Sequence, residues 1–141
     1  MSNECQEFQI LIVENDRMMW PVYRRALRTS DYVLEFVDGV DDALKKIECG
    51  AYGLIILDMG LNPGTRLATG LSADDIECGE QLFLEVRKTV KTPILVVSVY
   101  TGTYMGRELL DRLHPDRQLE KPIRPRLLQE AVSQLRHSTA Q

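Results

Sequence analysis

The chain has 141 residues, 44% hydrophobic and 27% charged, with a formal net charge of −4. That length suits one folded domain with a single core, and the acidic balance argues against direct nucleic-acid binding, which relies on clustered Lys and Arg. No apolar stretch approaches the ~20 residues of a membrane span. The polar start Met1 to Glu7 is unlike a secretory leader, and three widely spaced cysteines without a CxxC pair suit a reducing, cytoplasmic setting.

Residues 8–13 read as a short buried strand. Asp16 then caps a helix from Arg17 or Met18 to about Ser30, with Pro21 in its first turn and Val22, Ala26, Leu27 and Met18 or Met19 on its apolar face. Residues 32–37 alternate around Val33, Leu34 and Phe36 as a second strand, broken by Asp38-Gly39. Asp41 precedes a helix to about Glu48, with Ala43, Leu44 and Ile47 inward, and Cys49-Gly50 ends it. Leu54 to Leu57 is wholly apolar, as a central parallel strand covered on both faces must be.

Residues 59–78 hold Gly60, Asn62-Pro63-Gly64, Gly70 and Asp74-Asp75, and read as an extended loop with a helical turn at 72–76. A helix from about Gly79 to Thr89 follows, with Leu82, Phe83 and Val86 inward. Glycines 39, 50 and 79 are assigned to turns or helix ends. Pro93 introduces a fourth strand, 94–98; a helix near 104–113 ends at His114-Pro115. A short strand at 118–120 leads to Lys121-Pro122, and a last helix covers 125–136 with Leu127, Leu128, Ala131, Val132 and Leu135 in helical spacing.

Strand and helix therefore alternate five times, which predicts an α/β fold with a parallel sheet and helices on both faces. Such sheets deliver the residues that end their strands to one edge. There Asp58 ends the run 54–57, Glu14-Asn15-Asp16 ends 10–13, Ser98 ends 94–97, and Lys121 follows the fifth strand. Carboxylates, a hydroxyl and an ammonium at one edge describe a pocket for a divalent cation and a phosphoryl group. Pro122 biases Lys121 toward an extended backbone, so that its side chain can project over the strand ends toward Asp58.

The order and spacing of these features resemble the receiver domain of two-component response regulators. The likeness rests on the run-then-acid start 10–16, strand-terminal Asp58, Gly79 with Arg87 eight residues on, Pro93-Ile94-Leu95-Val96-Val97-Ser98, and Lys121-Pro122. It spans about 8–137 of a single receiver-like domain covering 1–141. The resemblance implies a doubly wound, flavodoxin-like five-stranded sheet of order 2-1-3-4-5. It also implies phosphorylation on Asp58, with Ser98 and Lys121 contacting the phosphoryl group. Glu14, Asn15, Asp58 and the Gly60 carbonyl would hold Mg2+. The implied partners are a histidine kinase or histidine phosphotransferase and a downstream protein target, with a homodimer allowed.

Four positions depart from the family pattern. Asn15 replaces a carboxylate, the loop 59–78 is about a dozen residues longer than usual, Gln118 stands where an aromatic switch residue is common, and Val99 where a small residue is usual. They motivate an alternative reading, a pseudo-receiver that acts as a protein interaction module without phosphorylation. A third, a small flavodoxin-like flavin carrier, lacks a glycine-rich phosphate loop after the first strand. No space for a DNA-binding output domain is expected after residue 137, which favours output by protein–protein contact.

Overall fold

The computed structural model describes residues 7–29, 31–59, 75–99 and 104–139. Five parallel strands, β1 (Phe8–Val13), β2 (Tyr32–Val37), β3 (Leu54–Asp58), β4 (Ile94–Ser98) and β5 (Arg117–Glu120), form one sheet of order β2-β1-β3-β4-β5. This is the topology expected from the sequence. The strand order reverses beside β1, between β1 and β3, and the carboxyl ends of both strands open there.

Alternation along the strands splits the core in two. Leu11, Val13, Ile55, Leu57, Ile94 and Val96 face α2 (Val40–Cys49), α3 (Asp75–Thr89) and α4 (Tyr104–Leu113). Ile10, Ile12, Leu54, Ile56, Leu95 and Val97 face α1 (Trp20–Ala26) and α5 (Pro125–Thr139). Every residue of β3 and β4 is buried, which is why both strands read as unbroken apolar runs.

The helices differ from expectation at their starts. The first is split: Asp16 accepts from the Met18 amide and caps a short 3-10 turn, Arg17–Met19, and α1 then ends at Ala26. Its buried face is Tyr23, Ala26 and Leu27; Val22 is half-buried and Met18 is exposed. Val40, fully buried, begins α2 with Gly39 as its cap, two residues before Asp41, which was expected to precede the helix. His114 takes φ 53° just past α4, a left-handed helix stop, and α5 extends past Arg136 to Thr139.

The larger correction concerns α3, which begins at Asp75 and not at Gly79. An acidic residue in a first turn suits the positive end of a helix, so Asp74-Asp75 was a weaker loop signal than it looked. Gly79 is accordingly neither turn nor cap. A Cβ there would lie 2.4 Å from the carbonyl oxygen of Met59 and 2.7 Å from its Cα. The glycine lets α3 press against the backbone one residue beyond Asp58. At the far end of the helix, Arg87 donates to Asp116 at 2.7 Å and to the Thr92 carbonyl, while Asp116 also accepts from the Ile94 amide at 2.8 Å. The Arg87 spacing noted in the sequence thus ties α3 to the start of β4 and the approach to β5.

Candidate functional site

The two-residue period of a strand decides which side chains meet. Ile10 and Ile12 face α1 and α5, and the Glu14 amide continues the ladder by donating to Val37 O at 2.9 Å, so Glu14 keeps the same parity. Leu54 and Ile56 put Asp58 on that side, and Leu119 does the same for Lys121. Three charged residues from three strand ends therefore converge beneath α1.

Lys121 is the centre of the cluster. Its Nζ donates to Glu14 Oε1 at 2.9 Å and lies 3.4 Å from Asp58 Oδ2. The sequence pointed to Asp58 as the lysine's partner; the structure adds Glu14 as a second and closer one. Glu14 is 0% exposed, and its other oxygen accepts from the Asp16 amide at 3.1 Å. Buried charges of this kind persist only when paired and hydrogen-bonded. Burial alone would lower the Lys121 pKa; the charge of Asp58, and then hydrogen bonding and charge from Glu14, outweigh it and hold the ammonium above its usual value.

Two aromatic residues complete the cluster. Tyr23, fully buried on α1, donates its hydroxyl to Glu14 Oε1 at 3.3 Å. Burial first, then the charges of Glu14 and Asp58, keep this phenol well above its ordinary pKa, so it stays a neutral donor. Trp20 donates from Nε1 to the Glu14 carbonyl at 3.0 Å and stacks on Phe36 with ring centroids 5.1 Å apart. Neither residue stands out in the sequence as part of the site. The signal for Tyr23 was present: it precedes Ala26 and Leu27 by three and four residues, the spacing of one helix face.

Ser98 is buried at the end of β4, and its carbonyl accepts from the Lys121 amide at 3.0 Å, which fastens the lysine's backbone to the strand end. The Lys121-Pro122 peptide bond is cis. Asn15 sits half-buried beside Glu14. Gly60, most of the long loop 59–78, and 101–103 lie outside the described residues. Val99 is 58% exposed and Gln118 is exposed, so both departures from the family pattern at this end are on the surface.

Among the described residues no cluster of three or more His, Cys, Asp or Glu is arranged to hold a metal. Magnesium, however, is commonly held by one or two carboxylates, with water and phosphate oxygens completing its octahedron. Glu14 and Asp58, both within 3.4 Å of one ammonium, meet that minimum. These two carboxylates are hard oxygen donors of the kind such a cation takes.

No curated protein matches the chain. Among solved structures, it is similar to a two-component response regulator from Clostridium difficile, at 19% identity over 96% of this chain and 100% of the other, with a TM-score of 0.78. A CheY-like receiver domain protein from Methanospirillum hungatei JF-1 matches at 20% identity over 96% and 98%, TM-score 0.74. The receiver domain of Francisella response regulator 1452 matches at 20% over 94% and 99%, TM-score 0.73. At these identities the likeness establishes the fold. The sequence itself matches the response regulator receiver domain over residues 10–133, and the chain belongs to that family of two-component signalling domains.

Proposed function

We propose that the chain is a cytoplasmic phosphoryl-accepting switch in which Asp58 is the acceptor. The observation that carries this reading is the half-buried ammonium of Lys121, 3.4 Å from the Asp58 carboxylate at the open end of β3. A carboxylate oxygen of Asp58 attacks the phosphorus of a phosphohistidine or small phosphodonor. A new O–P bond forms, the bond from phosphorus to the donor breaks, and the donor leaves with its electron pair. Lys121 neutralises the charge on the transferred oxygens, and Ser98 supplies a hydroxyl at the neighbouring strand end. A cation held by Glu14, Asp58, Asn15 and the Gly60 carbonyl supplies further positive charge when bound.

The donor is a histidine kinase or histidine phosphotransferase, and the output is a protein target. Exposed Val99, Gln118 and Leu127, around the ends of β4, β5 and α5, support readout at that face. Phosphorylation shifts an existing equilibrium by drawing Lys121 from Glu14 toward the new phosphoryl oxygens.

A second reading rests on the same cluster. Glu14 and Asp58 already share an internal cation, which offsets one of their two negative charges, and Asn15 removes a further carboxylate; such a site serves an interaction module that is never phosphorylated. Intact mass after incubation with a small phosphodonor, with and without Mg2+, separates the two. A Mg2+-dependent gain of one phosphoryl group, absent in Asp58→Asn, supports the switch. No gain, with a cognate kinase or phosphotransferase as well, supports the interaction module.

A further inference from the structure

The buried face of α1 needs an apolar ring at position 23, and phenylalanine would fill it equally well. The hydroxyl is surplus to packing. It is placed on Glu14 Oε1 at 3.3 Å, the same oxygen that accepts from Lys121 at 2.9 Å, while Oε2 is held by the Asp16 amide at 3.1 Å. Among the described residues three donors pin the Glu14 carboxylate, one of them charged.

This matters because Glu14 and Asp58 compete for a single ammonium. Glu14 is 0% exposed, so no water makes up a deficit of donors to its carboxylate. With Lys121 as the only side-chain donor, the buried carboxylate would draw the ammonium fully onto itself. The Tyr23 hydroxyl takes part of that demand. Trp20, donating to the Glu14 carbonyl, and the Asp16 amide hold the backbone and the second oxygen, so Glu14 cannot swing toward the lysine instead.

We propose that Tyr23 is a positioning residue: its hydroxyl shares Glu14 Oε1 with Lys121 and so keeps the ammonium within reach of Asp58. The inference rests on the reading of Asp58 as phosphoryl acceptor. The Tyr23 hydroxyl bonds to Glu14, and its effect on Lys121 passes through that shared oxygen.

Tyr23→Phe keeps the ring and removes the hydroxyl. Two readouts decide. The first is the 1H–15N signal of the Lys121 side-chain ammonium, identified by its loss in Lys121→Arg; it shifts or broadens in Tyr23→Phe. The second is the rate of phosphorylation at saturating small phosphodonor. It falls about fivefold in Tyr23→Phe, the scale of one net hydrogen bond, but changes less than about twofold when Tyr23→Phe is made in a Glu14→Gln background. An equal loss in both backgrounds would mark a packing defect and overturn the proposal. So would an unmoved ammonium signal. If the wild-type chain takes no phosphoryl group, the reading of Asp58 fails, and the ammonium signal alone then decides whether Tyr23 positions Lys121.

Discussion

Gly79→Ala sets two physical rules against each other. In the interior of a helix, Gly→Ala removes backbone freedom from the unfolded chain and is worth about 1 kcal/mol of stability. Gly79 lies inside α3, so helix propensity alone predicts a more stable protein. The close approach to β3 predicts the reverse. A new Cβ would sit 2.4, 2.7 and 2.9 Å from the O, Cα and C atoms of Met59. Those are backbone atoms at the end of a fully buried strand and cannot rotate away. To reach an ordinary contact the helix must retreat by about 0.6–1.0 Å, which loosens Leu82, Phe83 and Val86 against the sheet. Overpacking of this kind costs about 1–3 kcal/mol, and contact with rigid backbone places it toward the upper end. The net expectation is a loss of about 1–2 kcal/mol after the helix gain is subtracted. Urea unfolding, with the midpoint and slope compared to wild type, measures it. Gly39→Ala is the control, because nothing lies within 4 Å of its added Cβ; its stability should stay within about 0.5 kcal/mol of wild type. A Gly79→Ala protein as stable as wild type, or more so, would refute the close-approach argument.

Four further outcomes follow from the same structure. Lys121→Met strands Glu14 and Asp58, both buried, without their cation and should cost about 3–5 kcal/mol in denaturant unfolding at neutral pH; a change under 1 kcal/mol would contradict the paired cluster. Asp116→Ala takes the carboxylate from Arg87, which keeps its bond to the Thr92 carbonyl, and leaves the Ile94 amide without its acceptor, for a loss of about 1–3 kcal/mol by the same assay. Lys121, Tyr23 and Tyr52 all have raised pKa values in the fold, so each contributes stability that is complete below the unfolded values of about 10 and is lost as pH rises. Burial and the hydrogen bond to Glu35 push Tyr52 to about 12; urea midpoints should fall above about pH 10, and less steeply in Tyr52→Phe. Asn15→Asp should tighten Mg2+ binding by calorimetry, and equal affinities would show that residue 15 does not face the cation.

The sheet was legible because a parallel strand covered on both faces must be apolar along its whole length. Residues 8–13, 32–37 and 94–98 fall where the runs lie, and Asp58 ends a run whose every member is buried. The helix starts were less so, because tertiary contacts set them. Nothing local shows that Gly79 abuts Met59 or that Val40 is buried in the core. Tyr23 was missed because the apolar face of the first helix was drawn through Val22, Ala26 and Leu27. The Glu14–Lys121 pair joins residues 107 apart in sequence, and no local pattern says which of two carboxylates an ammonium prefers. The strand parity that brings Glu14, Asp58 and Lys121 to one side could have been read beforehand, given the strand order.

The central claim is that Asp58 itself carries the phosphoryl group. Borohydride reduction of the phosphodonor-treated protein converts an aspartyl phosphate to homoserine, and peptide mass mapping then locates it. Homoserine is expected at position 58 alone, dependent on both phosphodonor and Mg2+. Phosphoryl incorporation with aspartate intact at position 58, or no incorporation from any donor including a cognate kinase, would contradict it.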